Sequence, residues 1–151
     1  MKKLIACLWI LIFVALAQAE FKFEITQEFK KGEGEITISG KTADEVLSGV
    51  VRTLFRLKYK IVDKDEELGL IVAERKGVKD VISDTGVIIS TEEYVSARWK
   101  IMIESIEEKV IVVCSHEGED AGFWESKKKR FIDFCTKLES ILGGQERKRG
   151  E

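Results

Sequence analysis

The chain has 151 residues, 44% of them apolar and 34% charged, with 25 basic and 27 acidic side chains for a net charge of −2. That length and apolar content support one hydrophobic core and exclude both a disordered chain and a second domain. The evenly mixed charge offers no basic field to hold a phosphate backbone, which excludes nucleic acid as a partner.

At the N-terminus Lys2 and Lys3 precede an uncharged run from Leu4 to Ala17 that closes on Ala17-Gln18-Ala19. A basic start, an apolar run and a small-x-small end make a secretory signal peptide over residues 1–19, cleaved after Ala19. The run is shorter than the roughly 20 residues a spanning helix needs. Cys7 lies too early in it to be a lipid attachment site. The expectation is therefore export, to the periplasm or the cell exterior.

Phe21, Phe23 and Ile25 then alternate with Lys22, Glu24 and Thr26 as a half-buried strand, and the glycines of Lys31-Gly32-Glu33-Gly34 turn the chain into a second, with Ile36 and Ile38 inward. The period changes next from two to 3.6. Thr42 caps a helix, Glu45 three residues on completes a capping box, and Asp44 and Glu45 suit the positive helix end. Ala43, Val46, Leu47, Val50, Val51, Leu54 and Leu57 form its apolar stripe. Tyr59 to Val62 and Leu70 to Ala73 read as a hairpin around an acidic turn. From Lys76 to Glu93 the pattern weakens, and only Val87-Ile88-Ile89 suggests a short strand, so the segment reads as a mobile loop or an insertion.

Val95, Ala97, Trp99, Ile101 and Ile103 alternate with polar neighbours in the cleanest strand of the chain, one face of which is wet. A turn at Glu107-Glu108 leads into Val110 to Cys114, apolar at every position and hence either central or covered on both sides. Ser115 to Gly122 reads as a polar loop. A last helix carries Trp124, Phe131, Phe134, Cys135, Leu138, Ile141 and Leu142, ends at Gly143, and leaves 144–151 as a disordered charged tail. The whole predicts a single α+β domain over 20–143: an antiparallel sheet of five or six strands in the order β-β-α-β-β-(β)-β-β-α, both helices on one face, a two-layer sandwich.

The run from Thr42 to Ala73, with its capped helix, Tyr59-Lys60-Ile61-Val62 strand, acidic turn and Gly69-Leu70-Ile71-Val72-Ala73 strand, resembles small exported bacterial envelope proteins. Among these are BamC-like helix-grip modules of outer-membrane assembly lipoproteins. The resemblance covers about a third of the exported chain. It implies a non-catalytic envelope role and carries over no site residue. Unlike those lipoproteins, this chain has no cysteine at its cleavage site.

Few constellations offer chemistry. Asp63, Asp65, Glu67 and Glu74 fall at the oxygen-ligand spacing of a calcium loop, but Leu68 stands where that loop needs glycine and strands flank it, so a solvated turn is the reading. His116 with Glu117, Glu119 and Asp120 is the one cluster with an imidazole, read as a solvated loop histidine in preference to a metal ligand or general base. Cys114 and Cys135 are a candidate disulfide in an oxidising compartment, or else two buried thiols. Lys127-Lys128-Lys129-Arg130 is a basic block, either a solvated face or a contact for anionic lipid or an acidic partner. No nucleophile elbow, phosphate loop, dinucleotide fingerprint, zinc spacing or C-x-x-C occurs. No catalytic, metal or cofactor residue is assigned, and an enzyme is not expected.

The leading expectation is thus an exported, non-catalytic interaction or assembly module with an envelope protein as partner. Its contact surface is the wet sheet face around Arg98 and Lys100 or the Lys76 to Glu93 segment, with peripheral membrane contact as a further role. The alternative is a carrier that grips a small apolar ligand between sheet and last helix, near Trp99 and Trp124.

Overall fold

The computed structural model describes residues 23–118 and 124–149. The signal-peptide reading, Phe21, and Glu119 to Gly122 of the expected polar loop lie outside them. Among the described residues six strands and two helices follow one another: β1 (Glu24–Lys30), β2 (Glu33–Ser39), α1 (Ala43–Arg56), β3 (Lys60–Asp65), β4 (Leu70–Ile82), β5 (Ile88–Ile106), β6 (Lys109–Gly118) and α2 (Trp124–Arg149). The strands form one sheet in the order β1-β2-β6-β5-β4-β3, with every neighbouring pair antiparallel. The α+β class and the strand number agree with the sequence. The optional short strand does not exist separately: Ile88 and Ile89 open the 19-residue β5, which pairs along the 13-residue β4.

Two local devices set the first half of the chain. Lys31 at φ 52° and Gly32 at φ 84° are the central pair of the β1–β2 connection, and positive φ at both positions is the hairpin turn whose twist suits the flanking strands. Helix α1 starts as a full capping box, with the Thr42 amide donating to Glu45 Oε2 at 3.0 Å and the Glu45 amide to Thr42 Oγ1 at 3.2 Å. It ends with Lys58 at φ 65°. There the Tyr59 amide donates to Leu54 O at 2.9 Å and the Lys58 amide to Phe55 O at 3.0 Å, a pairing that satisfies the last helical carbonyls and folds Tyr59 back into the core.

One cluster of buried side chains unites the layers. Ile36 and Ile38 of β2, Ile71 and Ala73 of β4, Ala97, Trp99, Ile101 and Ile103 of β5, and Val110, Val112 and Cys114 of β6 join Val46, Val50 and Leu54 of α1 and Phe131, Phe134, Cys135, Leu138 and Leu142 of α2. The strand members are alternate residues, the period-two spacing of a strand. Glycine permits two close approaches. At Gly34 a Cβ would drive into the Phe131 ring, and at Gly49 it would come within 2.8 Å of Leu142, where α1 meets α2. Gly34 thus belongs to the packing of α2, where the sequence pointed to a turn.

Helix α2 does not stop at Gly143. It continues through Gly143 and Gly144, neither of which has positive φ, to Arg149. The cost of two helical glycines is offset by a following run of Gln, Glu, Arg and Lys, all good helix formers, and no left-handed cap is there to end it.

Candidate functional site

His116 is not in a loop. The β5–β6 ladder persists to Ala97–Gly118 and sets His116 across from Trp99, on the inward face that already holds Val110, Val112 and Cys114. The imidazole is 4% exposed. Its ring meets Trp99 edge-on with centroids 4.7 Å apart, while Tyr59 Oη and Arg130 Nη1 lie 3.3 and 3.4 Å from Nε2. Arginine only donates, so Nε2 accepts in the Arg130 contact. Arg75 stacks 5.4 Å from the centroid of the Tyr59 ring and closes the cluster from the β4 side. An imidazole so enclosed pins α2 to the end of the sheet, and in this conformation it cannot reach a substrate in solvent. The alternation Val110, Val112, Cys114 continues through His116 in the sequence, and that was the signal for its burial.

The two cysteines are also core groups, 1% exposed each, and both stand as free thiols. Burial pushes the Cys135 thiol up to about 12 and the Cys114 thiol well above its ordinary value, with a smaller contribution to Cys114 from its neighbour Cys135. Neither is a nucleophile in this state.

Two residues of the calcium-like spacing, Asp65 and Glu74, are engaged elsewhere. Asp65 Oδ1 accepts the amides of Glu67 and Leu68 at 3.0 Å, so it organises the β3–β4 turn. Glu74 holds Arg98, accepting its Nε–H at 2.8 Å and a bond from Nη2 as well.

Arg98 and Lys100 lie on the polar side of β5, as the alternation requires. Arg98 is paired with Glu74, and Lys100 Nζ lies 3.5 Å from Glu117. Met102 on the same side is 48% exposed. Across the register Leu70, Met102 and Val113 form one row, so a small apolar strip crosses this otherwise charged surface. A groove beside it, lined by Glu28, Lys30, Glu33, Gly34, Glu35 and Val113, holds about 130 Å³, below the several hundred of small-molecule sites.

The feature that periodicity hid is an arm. Beyond the last β3–β4 pair, Lys60–Glu74, and the last β5–β6 pair, Ala97–Gly118, the ladder from Lys76–Val95 to Ile82–Ile88 continues with only its own two strands among the described residues. Its tip is a tight polar turn in which Ser83 accepts from the Gly86 amide and donates to Val87 O, both at 2.8 Å. Along the arm Gly77 lies beneath Tyr94, whose ring a Cβ would approach to 2.7 Å. Val78, Ile82, Val87, Ile88 and Ile89 each leave 58–67% of their surface in solvent. Val95 and Val78 share one face with Ile82 and Ile88, while Tyr94 and Val81 fall on the other. Apolar residues on both faces produce no clean period of two, and for that reason the segment reads as a loop.

The chain matches no family model. No curated protein matches it either. Among solved structures, a DUF4468 family protein from Bacteroides ovatus is similar to it at 13% identity, with a TM-score of 0.39 over 78% of this chain and 90% of that one. A likeness of that degree carries no argument about fold or function.

Proposed function

We propose that the chain is an exported, non-catalytic interaction or assembly module of the bacterial cell envelope that acts through the β4–β5 arm. The observation that carries this reading is a set of large aliphatic side chains left in solvent along the β4–β5 arm, Val78, Ile82, Ile88 and Ile89 on its two strands and Val87 in the turn between them. An isolated hairpin is marginal in water, and an exposed apolar edge is a template for pairing with another chain. We read both helices as covering one face of the sheet, which leaves Arg98, Lys100 and Met102 on the open face as an accessory surface. The envelope assignment rests on the N-terminal run and on the helix-grip resemblance of Thr42 to Ala73. Trp99, Phe131 and Phe134 fill the interface between β5 and α2, each at most 2% exposed, which favours a surface role over a ligand carrier.

The test is site-specific photo-crosslinking in cells. A photo-reactive residue at Ile88 or at Lys100 is expected to trap a protein, and one at Glu66, on the solvated β3–β4 turn, is not. Equal, background-level adducts at all three positions would overturn the interaction reading.

A further inference from the structure

We infer that the occupant of the arm is a second copy of this chain, each copy laying its arm across the basic N-terminal turns of the other's α2; this rests on the arm being an interaction surface at all. Three observations lead there. First, the arm from Lys76 to Val95 carries two lysines against four carboxylates, a net of −2. Glu93 is engaged by Lys76 at 3.1 Å, whereas Asp80, Asp84 and Glu92 have no ion pair among the described residues. Second, Lys127, Lys128 and Lys129 form a block of three positive charges on α2 that likewise has no ion pair among the described residues. The arm's net −2 is opposite in sign to the block's three positive charges, and like-charge contacts between copies are avoided when arm meets block.

Third, the topology puts both surfaces at one end of the molecule. Arg130 reaches His116, which lies across from Trp99, two residues from the arm's last neighbour Ala97. The block therefore stands at the arm's root. An arm of seven paired positions extends about 20 Å from that root, so its tip projects away from its own block and towards that of a neighbour. A two-fold axis near the root makes the exchange reciprocal, with the same two patches used twice, as closed dimers require. The 20 residues of the arm, together with the receiving helix face, match the 20–30 residues per side of a stable interface. An acidic arm also opposes docking on an anionic membrane, which would attract basic segments.

The experiment is sedimentation of the purified exported protein and of two charge-reversed variants. Wild type is expected to be a dimer at roughly 100 μM or below, weakened at least roughly tenfold in molar salt as screening of these charges demands. The variant Asp80→Lys/Glu92→Lys and the variant Lys127→Glu/Lys128→Glu/Lys129→Glu should each be monomeric alone, with unchanged circular dichroism. Mixed, they should form a heterodimer, because both arm-to-block contacts are then again of opposite sign. A variant that unfolds is replaced by its one-charge version, Glu92→Lys or Lys128→Glu, read as a loss of dimer affinity. A monomeric wild type whose Ile88 photo-adduct is a different protein would overturn the second-copy assignment and leave the interaction reading standing. A dimer indifferent to all these charges would overturn the arm-on-block contact. A monomeric wild type with no adduct at Ile88 or Lys100 would remove both.

Discussion

Gly34 shows how a single missing Cβ places a helix. It pairs with Phe29 and Cys114 on its two sides, and the Phe131 ring lies directly over it, 5.6 Å from the Phe29 centroid. A side chain at that position forces the Phe131 ring or α2 to shift, so Gly34→Ala is expected to cost about 1–3 kcal/mol by overpacking. Phe131→Ala in the same background relieves the clash, and the pair of changes should be clearly non-additive in urea melts. Strict additivity would show that the ring does not sit where we place it. The buried thiols make a different residue-scale statement. In the reduced protein, burial keeps Cys135 protonated to about pH 12, whereas an unfolded thiol ionises near 9. The folded state thus holds a proton that the unfolded chain gives up. Stability is fully present below pH 9 and is lost as the pH rises towards 12, at up to about 1.4 kcal/mol per pH unit for that thiol. Cys135→Ala lowers stability at pH 7 but should flatten this alkaline slope, measured by denaturant melts at pH 8 to 11; an unchanged slope would deny the thiol its part.

At the scale of elements, α1 is the most legible part of the chain. Its capping box, acidic first turn and apolar stripe were all present in the sequence from Thr42 to Leu57, and the structure uses each of them. The exit from α1 was not legible, because the left-handed position after Leu57 is held by Lys58 where glycine is the usual signal. Lys58→Gly should stabilise the protein by up to about 1 kcal/mol by removing that strain. A loss in thermal melts would mean that Lys58 contributes a contact worth more than its backbone cost. The strands divide in the same way. Ile36 and Ile38, or Ala97, Trp99, Ile101 and Ile103, alternate because these side chains belong to the buried cluster. The arm has no covered face to impose an alternation, so neither its ladder nor its length could be read from Lys76 to Val95.

At the scale of the molecule, sequence reasoning captured the class, the strand number and the core aromatics Trp99, Phe131 and Phe134. It read two segments as loops that are strands, for one common reason. His116 was assigned by the polar residues beside it, and the arm by its lack of period, but both are governed by how far β5 continues to pair, towards β6 at one strand edge and β4 at the other. Pairing length is a tertiary property, visible only when two distant segments are set side by side. Arg98 and Lys100, whose placement needs only local alternation, were correctly put on the polar side of β5.

The strand order has a consequence for the way the chain reaches its native state. Strand β6 lies between β2 and β5, and its partners in β2 run from Ser39–Lys109 to Glu33–Ser115, 70 to 82 positions apart along the chain. The β1–β2 hairpin has no other strand to join among the described residues. Until β6 is available, the N-terminal hairpin and the β3–β5 meander are separate fragments, each with open backbone edges. Such long loop closures are slow. The sheet is therefore completed only after nearly the whole polypeptide has emerged, and until then the backbone edges of β2 and β5 that β6 will occupy stay open.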